Sequence, residues 1–138
     1  MKFEICRKAF ILAVVSFLAF GFEAVAQQQK EDGPDIYEQA EAEADRLQGV
    51  LKLEDWQTFY VDSTLKHDYP AMMAEMEDLR AAKITNVDIF QDVQDKWWDR
   101  IDASYRNIFT DEQWKAYLKT GAGKAQKLRA KRKTQKEE

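Results

Sequence analysis

VDIFQDVQDKWWDRIDASYRNI, residues 87–108, is the stretch that decides the fold. Val87, Phe90, Val93, Trp97, Ile101, Tyr105 and Ile108 recur every three or four residues, which is the repeat of one helical face. Asp92, Asp95, Asp99 and Asp102 fall between them and read as the wet opposite face. Asp92 precedes Lys96 by four residues, the favourable order for an ion pair along a helix. Thr85-Asn86 offers a cap just ahead of the run. Nothing in it alternates with the period of a strand, so the spacing predicts one helix of about six turns.

Thr110-Asp-Glu-Gln113 comes directly after. It has the form of a capping box: a threonine hydroxyl accepts the backbone N–H three residues on, and the glutamine reaches back to the threonine N–H. Phe109 and Trp114 flank the box and can staple the angle between the two helices. The capped helix carries Tyr117 and Leu118 and then meets Gly121 and Gly123. Upstream, Gly33-Pro34 opens a helix, since proline suits a first helical position. That helix carries Ile36, Tyr37, Ala40, Ala44 and Leu47, and Gly49 is expected to end it. Another helix starts around Leu53–Asp55, with Trp56, Phe59, Tyr60 and Leu65 marking its apolar side. Pro70 either interrupts it or starts a new helix, and Met72, Met73, Met76 and Leu79 continue the stripe. The fold expected is all-α, with about four helices, a long third helix and a capped C-terminal one.

The N-terminus has a different character. Lys2, Arg7 and Lys8 precede the apolar run AFILAVVSFLAFGF over residues 9–22, and Ala24-Val25-Ala26 gives a small-x-small cleavage pattern. The run is too short to span a bilayer comfortably, and its flanks fit a cleaved export signal. The division expected is a signal peptide at 1–26, a flexible leader at 27–33, a helical domain at 34–120 and a basic, frayed tail at 121–138. Localisation would be periplasmic, with no stable membrane anchor after cleavage and no ATP to use.

The only cysteine, Cys6, leaves with the signal, so disulfides, thiol nucleophiles and thiolate metal sites are excluded from the remaining chain. Five of the eight Phe also leave, and four Trp, five Tyr and three Phe remain. A few thin helices can share those rings as a core, or display them as a sticky surface. Residues 27–123 carry 11 Lys/Arg against 21 Asp/Glu, whereas 124–138 carry seven Lys/Arg and two Glu. Such a tail suits nucleic acid or an anionic membrane, a solvated frayed helix end, or a fold-back onto its own acidic body. Export argues against nucleic acid.

The string Tyr105-Arg-Asn-Ile-Phe-Thr-Asp-Glu-Gln113-Trp114 resembles the L-T-x-x-Q signature of the Spy/CpxP family of small periplasmic helical proteins. Phe109 takes the Leu position, and Thr110 and Gln113 match. Leu51-Lys-Leu-Glu-Asp-Trp-Gln57 looks like a degenerate first copy. It can be laid on the second with Leu53 and Gln57 on Phe109 and Gln113, or with Glu54, Trp56 and Phe59 on Glu112, Trp114 and Tyr117. Neither register restores the capping threonine. The resemblance implies a homodimer of thin, bent helical hairpins, acting as an ATP-independent chaperone or as an envelope-stress or metal-response regulator. The best-known chaperone of this type has a basic concave face, where the body here is acidic.

Trp56, Met72, Met73, Met76, Trp97 and Trp98 are the candidate contacts for an unfolded or partner protein, and Phe109, Thr110, Gln113 and Trp114 the structural motif. The methionines at i, i+1 and i+4 suit promiscuous contact, an ordinary core or dimer seam, or Cu(I). Trp97 and Trp98 point about 100° apart on a helix, so a broad face buries both or one lies at a rim. His67, alone, lacks the convergent ligands of a metal site and the aligned partner of a catalytic one. Carboxylate pairs such as Glu75 with Asp78 read as a solvated face, and no phosphate loop or zinc pattern occurs. No enzyme, metal or cofactor is expected. The function expected is binding of apolar segments of unfolded envelope proteins. The alternatives are a module regulating one stress-signalling partner and a metal-responsive protein.

Overall fold

The computed structural model describes residues 35–137, and the expected signal peptide and leader lie outside them. The described residues are all-α, as the periodicity requires: α1 Ile36–Leu51, α2 Asp55–Ala81, α3 Val87–Ile108, α4 Asp111–Tyr117, a π turn Leu118–Ala122, and α5 Gly123–Glu137. Asp35 caps α1, its carboxylate accepting the Tyr37 N–H at 3.2 Å. Ile36 is the first helical residue after that cap; Pro34, expected at this position, lies outside the described residues. Gly49 does not end α1. Leu47 and Leu51 belong to one buried stripe, and the helix runs on until Lys52 takes the left-handed position at φ 55°.

Pro70 neither breaks α2 nor starts a new helix; it lies inside. The hydrogen bond its missing N–H forfeits is offset by tertiary holds in the two residues just ahead of it. Asp68 receives Arg100 of α3 at 3.3 Å, and the Tyr69 ring meets Trp98 edge-on at 6.1 Å. Of the apolar side read for α2, Leu65 turns inward and the three rings do not. Gln57, Val61, Leu65 and Asp68 are buried, while Trp56, Phe59 and Tyr60 point outward. Alanines 40 and 44 of α1 let α2 approach closely, and Leu47 and Leu51 pack beside them.

The core sits at one end, where α1 stops, α2 starts, and α3 hands over to α4. Ile101, Tyr105, Phe109 and Tyr117 complete it with Leu53, Val61 and Leu65. Away from that end α2 and α3 continue as a hairpin with little of its surface buried. Among the described residues no side chain from Tyr69 to Asp92 is fully buried. Asn86 caps α3 by accepting the Asp88 N–H at 2.9 Å. Toward the tip, Arg80 lies over the Phe90 ring at 5.9 Å.

The stretch expected to fray is helical over Gly123–Glu137. Gly121, at φ 105°, makes the turn that brings it back. Its bases pair with the acids of α3: Arg129 with Asp99 and Asp102, Arg132 with Asp95, Lys133 with Asp99, and Lys136 with Asp92. As residue numbers rise along α5 they fall along α3, so the two helices run antiparallel. The four aspartates are therefore not a wet face, and Asp95 and Asp102 are buried. Lys96 does not take up Asp92; it reaches across to Glu75 of α2.

Candidate functional site

Two glutamines clasp the core end. Gln57 and Gln113 are each the third residue of a helix, and each side-chain carbonyl accepts the N–H of its own cap residue, Glu54 at 2.9 Å and Thr110 at 3.0 Å. The two amides also bond to each other, Gln57 Nε2 donating to Gln113 Oε1 at 2.7 Å and Gln113 Nε2 to Gln57 Oε1 at 3.0 Å. Each Nε2 further donates to a backbone carbonyl five residues ahead of its partner, Ile108 at 2.9 Å and Lys52 at 3.3 Å. The arrangement is a local pseudo-two-fold that equates Leu53–Gln57 with Phe109–Gln113, selecting that register over the one pairing Trp56 with Trp114. Thr110 Oγ1 accepts the Gln113 N–H at 3.2 Å, completing the capping box. Phe109 lies 5.7 Å from Tyr117 and Trp114 lies 5.4 Å from it, so Tyr117 bridges the two rings expected to staple this junction.

The candidate contact residues do not converge on one site. Trp56 lies near the start of α2, and Met72, Met73 and Met76 begin 16 residues later, on the order of 24 Å along the helix. Trp56, Phe59 and Tyr60 are 52%, 65% and 54% exposed. Their rings are mutually packed, Trp56 to Tyr60 at 6.3 Å and Phe59 to Tyr60 at 5.6 Å. Trp56 Nε1 donates to Glu54 Oε2 at 2.7 Å, which fixes the indole against its own helix start. This trio is a pre-formed aromatic face with one side on water. Met73 is exposed, while Met72 and Met76 are half-buried. Met76 lines a shallow groove at the hairpin tip with Arg80, Val87 and Phe90.

Trp97 and Trp98 are both half-buried, and they do different work. Trp97 donates its Nε1–H to Glu75 Oε2 at 2.8 Å, with the Lys96 ammonium 5.4 Å and the Arg100 guanidinium 5.3 Å from its ring. The Lys96 bond, helped by the indole, holds the Glu75 carboxyl below the usual range. Trp98 packs against the core, and burial beside it pushes the Tyr69 phenol up to about 12. Trp98 also lines a cleft of about 350 Å³ between α3 and α5, with Glu43, Asp102, Tyr117, Leu128 and Arg132 around it. Tyr117 Oη donates to Asp102 Oδ1 at 2.7 Å across its inner wall. Burial first, and that bond second, push the Tyr117 hydroxyl far above its ordinary range.

His67 is exposed, and its Nδ1 lies 2.7 Å from Asp68 Oδ1. Among the described residues no group of three or more His, Cys, Asp or Glu is arranged to hold a metal ion. The sequence reading missed Phe59 and Tyr60 as surface and Gln57 as core. The clue lay in the third-position glutamines, each preceded by an apolar residue four positions earlier. Comparison with protein-family models, with curated proteins and with solved structures gave no match to this chain.

Proposed function

We propose that this is an exported, nucleotide-independent binding protein that holds apolar segments of unfolded envelope proteins and limits their aggregation. The observation that carries the reading is the Trp56–Phe59–Tyr60 face, three large rings each more than half exposed and packed as a unit. Clustered exposed rings on a small body mark a contact surface. Rings that already pack on one another lose little side-chain freedom on binding. The acids around them, Glu54, Asp55 and Asp62, favour solubility of a complex. The export signal read at residues 1–26 supplies the compartment, and the L-T-x-x-Q resemblance supplies the chaperone class. Met73, with the half-buried Met76 and Phe90, gives a second apolar area at the hairpin tip.

The rival reading, a module for one signalling partner, rests on the opposition between an acidic body and a basic tail. Much of that opposition is taken up inside the chain by the α3–α5 pairs, which leaves the ring face as the stronger support. Light scattering decides between outcomes. Equimolar protein should delay aggregation of at least two unrelated unfolded clients, and Trp56→Ala/Phe59→Ala/Tyr60→Ala should abolish the delay without changing helix content. A wild-type chain that delays neither client ends the proposal.

A further inference from the structure

The seven bases of residues 124–138 divide into two sets. Arg129, Arg132, Lys133 and Lys136 face α3 and are ion-paired. Lys124, Lys127 and Lys131 are exposed, and among the described residues they have no hydrogen-bond or ion-pair partner. Together with Leu128, which borders the α3–α5 cleft and is 47% exposed at its rim, they recur at i, i+3, i+4 and i+7, which places them along one stripe of α5. The inward set lies on the far side of the helix. No acid interrupts the stripe, since α5 has none before Glu137. The nearest acidic row, on α3, is already neutralised by the inward set. Lys115 and Lys119, just before the Gly121 turn, are likewise exposed and unpaired.

We infer that the outer stripe of α5 is a docking surface for an anionic bilayer, binding lipid head groups through Lys124, Lys127 and Lys131 with Leu128 entering the interface. Three observations favour a membrane over another polyanion. Both arginines of the segment, the side chains suited to bidentate recognition of defined phosphates, are turned inward. The outer face is lysine only, the flexible point charge that suits a diffuse anionic surface. The exposed leucine within the stripe has a use at an acyl boundary and none on a nucleic-acid backbone. The ion pairs to α3 keep the arm folded so that the stripe is presented as a helix. Among the described residues no helix is long and apolar enough to cross a membrane; the attachment proposed for this stripe is peripheral and reversible.

Each lysine near an anionic surface multiplies binding about fivefold, so the three together contribute on the order of 100-fold. The test is flotation of the chain beginning at Gln27, which holds every residue of the described fold, with vesicles. It should partition onto phosphatidylcholine vesicles containing phosphatidylglycerol and not onto phosphatidylcholine alone. About 0.5 M salt should release it. Lys124→Glu/Lys127→Glu/Lys131→Glu should lose on the order of 100-fold in partitioning, and because these side chains are unpaired, circular dichroism should be unchanged. Leu128→Ser should weaken vesicle binding several-fold and leave heparin binding unaltered. The ring-face triple variant should float like wild type, which separates this inference from the proposed chaperone role. Equal flotation on neutral vesicles, undiminished flotation of the triple-lysine variant, or binding to heparin or nucleic acid without any to vesicles overturns it.

Discussion

The two ends of α3 are held by opposite means. Near Tyr105 it meets α1, α2 and α4 through buried rings, leucines and a closed pair of amides. Toward Asp92 its outer side meets α5 through ammonium and guanidinium groups set across a cleft. The first junction excludes water and depends on shape. The second stays wet and depends on charge, where exposed pairs contribute little singly and are screened by salt. Arg129, Asp95 and Asp102 are the exceptions within the second junction: Arg129, at 5% exposure between Asp99 and Asp102, is a buried charge that its partners must satisfy. One short chain thus joins a body held by packing to an arm held largely by charge.

Substitutions should separate the two junctions, beginning with the largest effect. Ile101→Ala, removing a fully buried side chain beneath the Tyr105 cluster, should cost about 2–5 kcal/mol of global stability in urea melts. Gln57→Ala should cost about 1–3 kcal/mol, since it strips the Glu54 N–H, the Ile108 carbonyl and the Gln113 amide of partners at once. Arg129→Ala should act on the arm alone: amide exchange in α5 should speed up sharply while α1, α2 and α3 keep their protection. If α2 and α3 lose protection equally with α5, the two junctions are one cooperative unit and the contrast fails.

Acid should sharpen the same contrast. The Arg132 guanidinium holds the Asp95 carboxyl below the usual range. Burial pushes Asp99 up, but the bonds from Lys133 and Arg129 outweigh it and leave it lowered. A carboxyl whose folded pKa is depressed contributes stability that is complete above its unfolded value, about 4, and lost as pH falls through the folded value. The arm should therefore loosen as pH drops below about 4, and raised salt should assist it, while the amide clasp holds. Exchange rates of α5 amides against pH and salt give the measurement. The smallest effect expected is at Tyr105, whose buried hydroxyl has no hydrogen-bond partner among the described residues. Tyr105→Phe should keep the stacking on Phe109 and Tyr117 and change stability by less than about 0.5 kcal/mol, or raise it, because an unmet polar group is removed.

What was legible in the sequence was whatever nearby residues encode. The limits of α3, the Asn86 cap and the Thr110–Gln113 box depend on groups within a few positions of one another, and they stand where the periodicity and spacing placed them. The candidate face was half legible: Trp56 was marked as a contact, while Phe59 and Tyr60 were read as part of an apolar side that could serve as core or as surface. α2 carries rings on one side and Gln57, Val61, Leu65 and Asp68 on another, and composition alone favours burying the rings. The choice goes the other way because the alanines of α1 accept a slim face, and because Gln57 finds in Gln113 an amide 56 residues distant that satisfies it in the core. The basic tail is the same case. Its charges were plain in the sequence, yet whether they fray in water or zip onto Asp92, Asp95, Asp99 and Asp102 depends on a chain reversal at Gly121 that brings the two rows opposite each other. Local hydrogen bonding fixes where helices begin and end, whereas the side that faces inward is set by partners the chain meets only after it has folded.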